Sequence, residues 1–133
     1  MLDISSKIGS NAGKIWNSLN QTGPQSQSAL VKNTKLSLKD FHTAIGWLAR
    51  EDKIYRDGII YKLGMTNLTE KIGQDAGLVW KFIETQGEVD LSAIVKTTQI
   101  KIQDAYSALG WLAREDKIIG NKLKTNTILV KLK

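Results

Sequence analysis

From Ile8 onward the apolar residues Ile8, Ala12, Ile15, Trp16 and Leu19 recur at i, i+4, i+7, i+8 and i+11, and Ile72, Ala76, Val79, Trp80 and Ile83 repeat that order. This is the stripe of an amphipathic helix, occurring twice. Trp16 and Trp80 lie on it and are expected in the core. Thr22-Gly23-Pro24 and Gln86-Gly87 end the two helices. A short second helix is expected over Gln27 to Asn33 and again over Leu91 to Thr97, with Ser26 and Asp90 as N-caps. After a tight turn a third helix follows. There Ser37-Leu38-Lys39-Asp40 has the form of a capping box, and Leu38, Phe41, Ile45 and Leu48 form the stripe. The second copy keeps the stripe as Ile102, Ala105, Leu109 and Leu112, but Lys101 stands where the capping serine should be. Beyond Lys53 the period shortens to that of a strand. Ile54 to Tyr61 reads as a strand, an Asp57-Gly58 turn and a return strand, a hairpin signature. Its counterpart is flanked by Ile118-Ile119 and Thr127 to Leu132 around a longer polar tip, Gly120 to Asn126.

These parallels reflect an internal repeat. The nine residues Gly46 to Ile54 return letter for letter as Gly110 to Ile118, and at a constant offset of 64 residues 8–54 align with 72–118 without a gap, 22 of the 47 pairs being identical. Two domains of one fold are expected, residues 1–64 and 65–133, joined by a short link near Gly64 to Asn67 that leaves little freedom between them.

Helix, short helix, turn, helix and hairpin is the order of a winged helix-turn-helix, and the chain resembles that family over nearly all of both repeats. The resemblance implies a mainly helical α+β fold of two tandem winged helix-turn-helix domains, each with three helices and a hairpin wing. More narrowly, Ile-Gly-x-x-Ala-Gly-x-x-x-Trp in the first helix, with Gly-Trp-Leu-Ala-Arg-Glu-Asp-Lys, is similar to a family of short, uncharacterised prokaryotic winged-helix proteins. In winged helices that bind DNA the third helix enters the major groove and the hairpin reaches toward the backbone. On that pattern the face of the third helix opposite its apolar stripe carries Lys39, Thr43, Gly46 and Arg50, and in the second repeat Gln103, Ser107, Gly110 and Arg114. Lys35, Gln99 and Lys101 in the preceding turns and Arg56, Lys122 and Lys124 in the wings complete the candidate nucleic-acid contacts. The alternative for the polar face is plain solvation.

Trp47 and Trp111 sit off the centre of the apolar stripe, where a large ring on an isolated module would lie partly bare. They are candidate interface residues. Their cover could come from the other module or a second chain, from within the module, against a wing or the notches at Gly9 and Gly13, or from an external partner. A module of about 60 residues buries only about 60% of its unfolded surface, which favours mutual packing. Gly46 and Gly110 fit any close approach, since a mid-helix glycine costs about 1 kcal/mol relative to alanine.

Charge adds a modest bias toward a polyanion. The net charge is +6, with 9 basic and 5 acidic residues in 1–64 against 10 and 8 in 65–133. No apolar run approaches the roughly 20 residues of a membrane span, and the N-terminus lacks the layout of a signal peptide, so a cytoplasmic protein without membrane contact is expected. With no cysteine and only His42, neither a metal nor a cofactor is expected. Catalysis is not expected either: no phosphate-binding loop or nucleophile elbow is present, and Glu51-Asp52 and Glu115-Asp116 read as solvated charge. Two function classes remain. One is a regulatory DNA-binding protein, DNA standing ahead of RNA; the other is a non-catalytic scaffold for a protein partner or homodimer, using the surface around Trp47 and Trp111.

Overall fold

The computed structural model describes residues 3–122 and 127–133, with only the backbone of Lys122 included. The first repeat runs α1 (Ile4–Thr22), β1 (Gln25–Ser26), α2 (Gln27–Thr34), α3 (Leu38–Arg50), β2 (Ile54–Asp57) and β3 (Ile60–Leu63). The second runs α4 (Thr69–Gln86), β4 (Val89–Asp90), α5 (Leu91–Thr98), α6 (Ile102–Arg114), β5 (Ile118–Lys122) and β6 (Ile128–Leu132). Each repeat is a winged helix. Its three-stranded antiparallel sheet has the order β1-β3-β2 or β4-β6-β5. The two-residue strands β1 and β4 are too short to show a period in sequence, yet they tie the segment after the first helix to the wing.

Local sequence accounts for most boundaries. Gly23 and Gly87 terminate α1 and α4 with φ of 87° and 79°, a conformation that side-chain-bearing residues rarely adopt. The Ser26 hydroxyl accepts the Ala29 N–H at 3.2 Å, the Asp90 carboxylate accepts that of Ala93 at 2.8 Å, and Ser37 accepts that of Asp40 at 3.1 Å. At Lys101 no side chain caps α6. Both wings differ in detail from expectation. Asp57 pairs with Ile60, so the two-residue turn is Gly58-Ile59, with Gly58 at φ 61°. In the second wing Gly120 to Lys122 are not part of the tip; they extend β5, opposite Val130 to Ile128.

The repeats are interlocked by their first helices. Ile8 of α1 is buried in a core otherwise built from the second repeat, with Ile4 packed against it, while Ile72 of α4 is buried in the core of the first repeat, with Leu68 alongside. Side chains reach the opposite repeat's backbone in the same reciprocal way. The Asp3 carboxylate accepts the Gly120 N–H of edge strand β5 at 3.0 Å, and its counterpart Asn67 accepts the Arg56 N–H of edge strand β2 at 3.0 Å and donates to the Arg56 carbonyl at 2.7 Å. Each wing edge is thus bonded at one residue by a side chain that precedes the other repeat's first helix. The link itself is tied down, Thr66 N–H donating to the Asp52 carboxylate at 2.8 Å. Among the described residues no helix is long and apolar enough to cross a membrane.

Candidate nucleic-acid interface

α3 and α6 form the most extensive contact between any two elements. They meet backbone to backbone at the two glycines: a Cβ at Gly46 would overlap the Ser107 carbonyl, and one at Gly110 would overlap that of Thr43. A larger residue at either point would force the helices apart, so glycine serves helix packing here and not approach to a base edge. Thr43 and Ser107 are consequently buried, at 4% and 7% exposure. The Thr43 hydroxyl donates to the Asp40 carbonyl at 3.1 Å and that of Ser107 crosses to the His42 carbonyl at 3.2 Å. The expectation that Thr43 and Ser107 face nucleic acid is therefore corrected: their face is occupied by the other repeat.

The arginines at the ends of these helices are held in the same junction. Arg50 Nε lies 3.1 Å from Glu115 and Arg114 Nε lies 3.1 Å from Glu51, the same pair in both directions. This reciprocity is the mark of a two-fold interface, here within one chain. Arg50 stacks over Trp111 and Arg114 over Trp47, 5.6 and 5.7 Å from the ring centroids. Arg50 and Arg114 remain part-exposed, yet their guanidinium groups are directed to the partner repeat and not to a groove. Glu51 and Glu115 are correspondingly not free solvated charge, their side chains being 19% and 17% exposed. One signal for this pairing was present in the sequence: an Arg-Glu dipeptide repeated without change can be self-complementary across a dyad.

Trp47 and Trp111 are half-buried and join both cores. A Cβ on Gly9 would stand 3.0 Å from the Trp47 ring, and one on Gly73 3.6 Å from that of Trp111, so the first helix receives each indole at a glycine. Their cover comes from their own module and from the opposite arginine together. Trp16 departs from its expected core position, being 36% exposed, while Trp80 is half-buried against the second core.

What stays open is the start of each third helix and the wing. Lys35 and Gln99, in the turns between α2 and α3 and between α5 and α6, are exposed and left-handed, with φ of 59° and 61°. Lys101 and Gln103 are exposed, and Lys39 is half-buried. Arg56 is exposed on the first wing, where its Nε donates to the Gly58 carbonyl at 2.8 Å and its guanidinium lies over Tyr61. Lys122 belongs to β5, and Lys124 lies outside the described residues. The structure thus separates the candidates into an occluded centre and exposed flanks. Among the described residues no cluster of three or more His, Asp or Glu could hold a metal ion.

A family model described as a winged helix-turn-helix domain (DUF2582) matches residues 1–63 and again 65–131. No curated protein and no solved structure matches the chain.

Proposed function

The chain belongs to the DUF2582 winged helix-turn-helix family, and from that premise we propose that it is a non-catalytic, regulatory protein that binds duplex DNA mainly through phosphates. The observation that carries this reading is the exposure of Lys35, Lys101 and Gln103 at the starts of the third helices, on a chain of net charge +6, while the helix centres are mutually buried. Cations at a helix start and on a wing can neutralise phosphates without deep insertion of the helix. Base reading by Thr43, Ser107, Arg50 and Arg114 forms no part of this proposal, so discrimination between sequences should be small.

The test is a titration of mixed-sequence duplex at two salt concentrations with the native protein and with Lys35→Ala/Lys101→Ala. Each lost phosphate contact should lower the slope of log affinity against log salt by about 1, so the double variant should lose about 2 and weaken on all duplexes alike. Native protein that binds no duplex at low salt would sink the DNA reading. The scaffold reading would then stand, favoured by the commitment of both third-helix centres to contact between repeats.

A further inference from the structure

Between the first and third helices of each repeat lies an open groove that DNA contact would leave unused. In the first repeat it has a volume of about 400 Å³ and is bounded by Gly9, Gly13, Trp16, Trp47, Glu51 and Lys53. The second repeat has the equivalent groove at about 280 Å³, bounded by Gly73, Gly77, Trp80, Trp111, Glu115 and Lys117. All eight positions lining the second groove are identical to their counterparts in the first, although fewer than half of the aligned positions agree overall.

Contacts within the chain explain part of that identity. Trp47 seats on Gly9, and Glu51 is engaged by Arg114 and Lys53. They do not explain Gly13 or Trp16. A Cβ on Gly13 or on Gly77 would meet nothing within 4 Å, and neither residue has a positive φ. Glycine is among the poorest residues for a helix interior, so its retention twice where the chain needs no space indicates that the space serves something outside the chain. Beside it Trp16 leaves 36% of its surface open.

The chemistry of the lining defines the occupant. Indole walls over a bare helix backbone fit one large flat apolar side chain. Charge at the rim is positive: the single carboxylate, Glu51, already faces both Arg114 and Lys53, and Lys14 stands exposed on the adjoining wall shared through Asn17. Helix α1 carries Lys7 and Lys14 and no acidic residue. We propose that the groove of the first repeat docks an acidic peptide segment of a partner protein, which inserts one aromatic side chain beside Trp16 over Gly13 and sets its carboxylates against Lys14 and Lys53. The second groove serves as an internal reference. It has the same indoles, but Leu78 replaces Lys14, and α4, with Glu70, Asp75 and Glu84 against Lys71 and Lys81, is net acidic where α1 is basic, so it binds the same segment more weakly.

The probe is a fluorescein-labelled ten-residue peptide with one phenylalanine flanked by aspartate and glutamate, titrated with the full chain by fluorescence polarisation. Gly13→Leu, which fills the floor, should lower affinity at least about tenfold, whereas Gly77→Leu should lower it by no more than about threefold. Gly13→Ala supplies a smaller step should leucine disturb folding. Gly13→Ala should melt no lower than the native protein, because its Cβ enters open space and improves helix propensity. Lys14→Ala with Lys53→Ala should weaken binding and flatten its salt dependence, and a probe with alanine for phenylalanine should not bind. Absence of binding at about 200 µM protein and low salt, or unchanged binding by a folded Gly13→Leu, overturns the proposal. So does an oligothymidine that binds in place of the peptide and is lost in Gly13→Leu, which would assign the groove to nucleic acid. Duplex affinity, followed in parallel, distinguishes failure here from failure of DNA binding.

Discussion

His42 shows how a single position joins the two repeats electrostatically. Its ring is half-buried and edge-on to Phe41, with centroids 5.2 Å apart. Burial holds its pKa below the ordinary 6.5; the attraction of Asp104 across the junction opposes that shift and Arg56 adds to it. A folded-state pKa below the unfolded one means that the unfolded chain takes up the proton more readily. The associated stability is complete above about pH 6.5 and is lost as pH falls through that value toward the folded-state pKa. Urea midpoints at about pH 7.5 and 5.5 should therefore fall more for the native protein than for His42→Gln. An equal fall in both would exclude the imidazole as the source. Other residues were less legible at this scale. The stripe spacing locates Trp16 on the apolar side of α1 but does not reveal that its ring stays partly uncovered, because coverage depends on what packs across from it.

The third helices illustrate how an element's role escapes its own sequence. Polar Thr43 and Ser107, with Gly46 and Gly110, form a face that composition alone assigns to water or to a polyanion. Its burial depends on a matching face 64 residues away, and small side chains permit close contact without announcing it. Glycine to alanine in an exposed helix stabilises by about 1 kcal/mol, yet here the sign reverses. Gly46→Ala and Gly110→Ala should each cost about 1 to 3 kcal/mol, or more if the backbones cannot separate, lowering the melting temperature by roughly 3 to 10 °C. A rise in melting temperature would show that the two helices do not meet at these residues. The ion pairs between Arg50 and Glu115 and between Arg114 and Glu51 contribute less, since exposed pairs are worth only about 0.2 to 1 kcal/mol each. Their weight lies in fixing the register of the crossing.

At the scale of the molecule, the reciprocal placement of Ile8 and Ile72 makes each core incomplete without the other repeat. The protein should therefore unfold as one unit. Equilibrium urea curves followed by tryptophan fluorescence and by far-ultraviolet circular dichroism are expected to coincide. Ile8→Ala should cost about 2 to 5 kcal/mol as a buried truncation while preserving that coincidence, although the residue belongs to the first repeat and its cavity to the second. Two resolved transitions would show that the repeats fold separately.

The sequence by itself determined the duplication, the order of helices and hairpins, the caps at Ser26, Ser37 and Asp90, the missing cap at Lys101 and the two terminating glycines. All of these follow from neighbours within a few residues or from similarity between halves, and both kinds of information are written along the chain. Tertiary structure alone decided which polar faces are open. It turned the expected reading surface at Thr43, Ser107, Arg50 and Arg114 into the seam between repeats, left Lys35, Lys101 and Gln103 exposed beside it, and carried Asp3 and Asn67 onto the opposite wings. The physical reason is that periodicity distinguishes an apolar face from a polar one, whereas burial of a polar face is set by the complementarity of two distant surfaces, which here meet at glycines small enough to bring the backbones together.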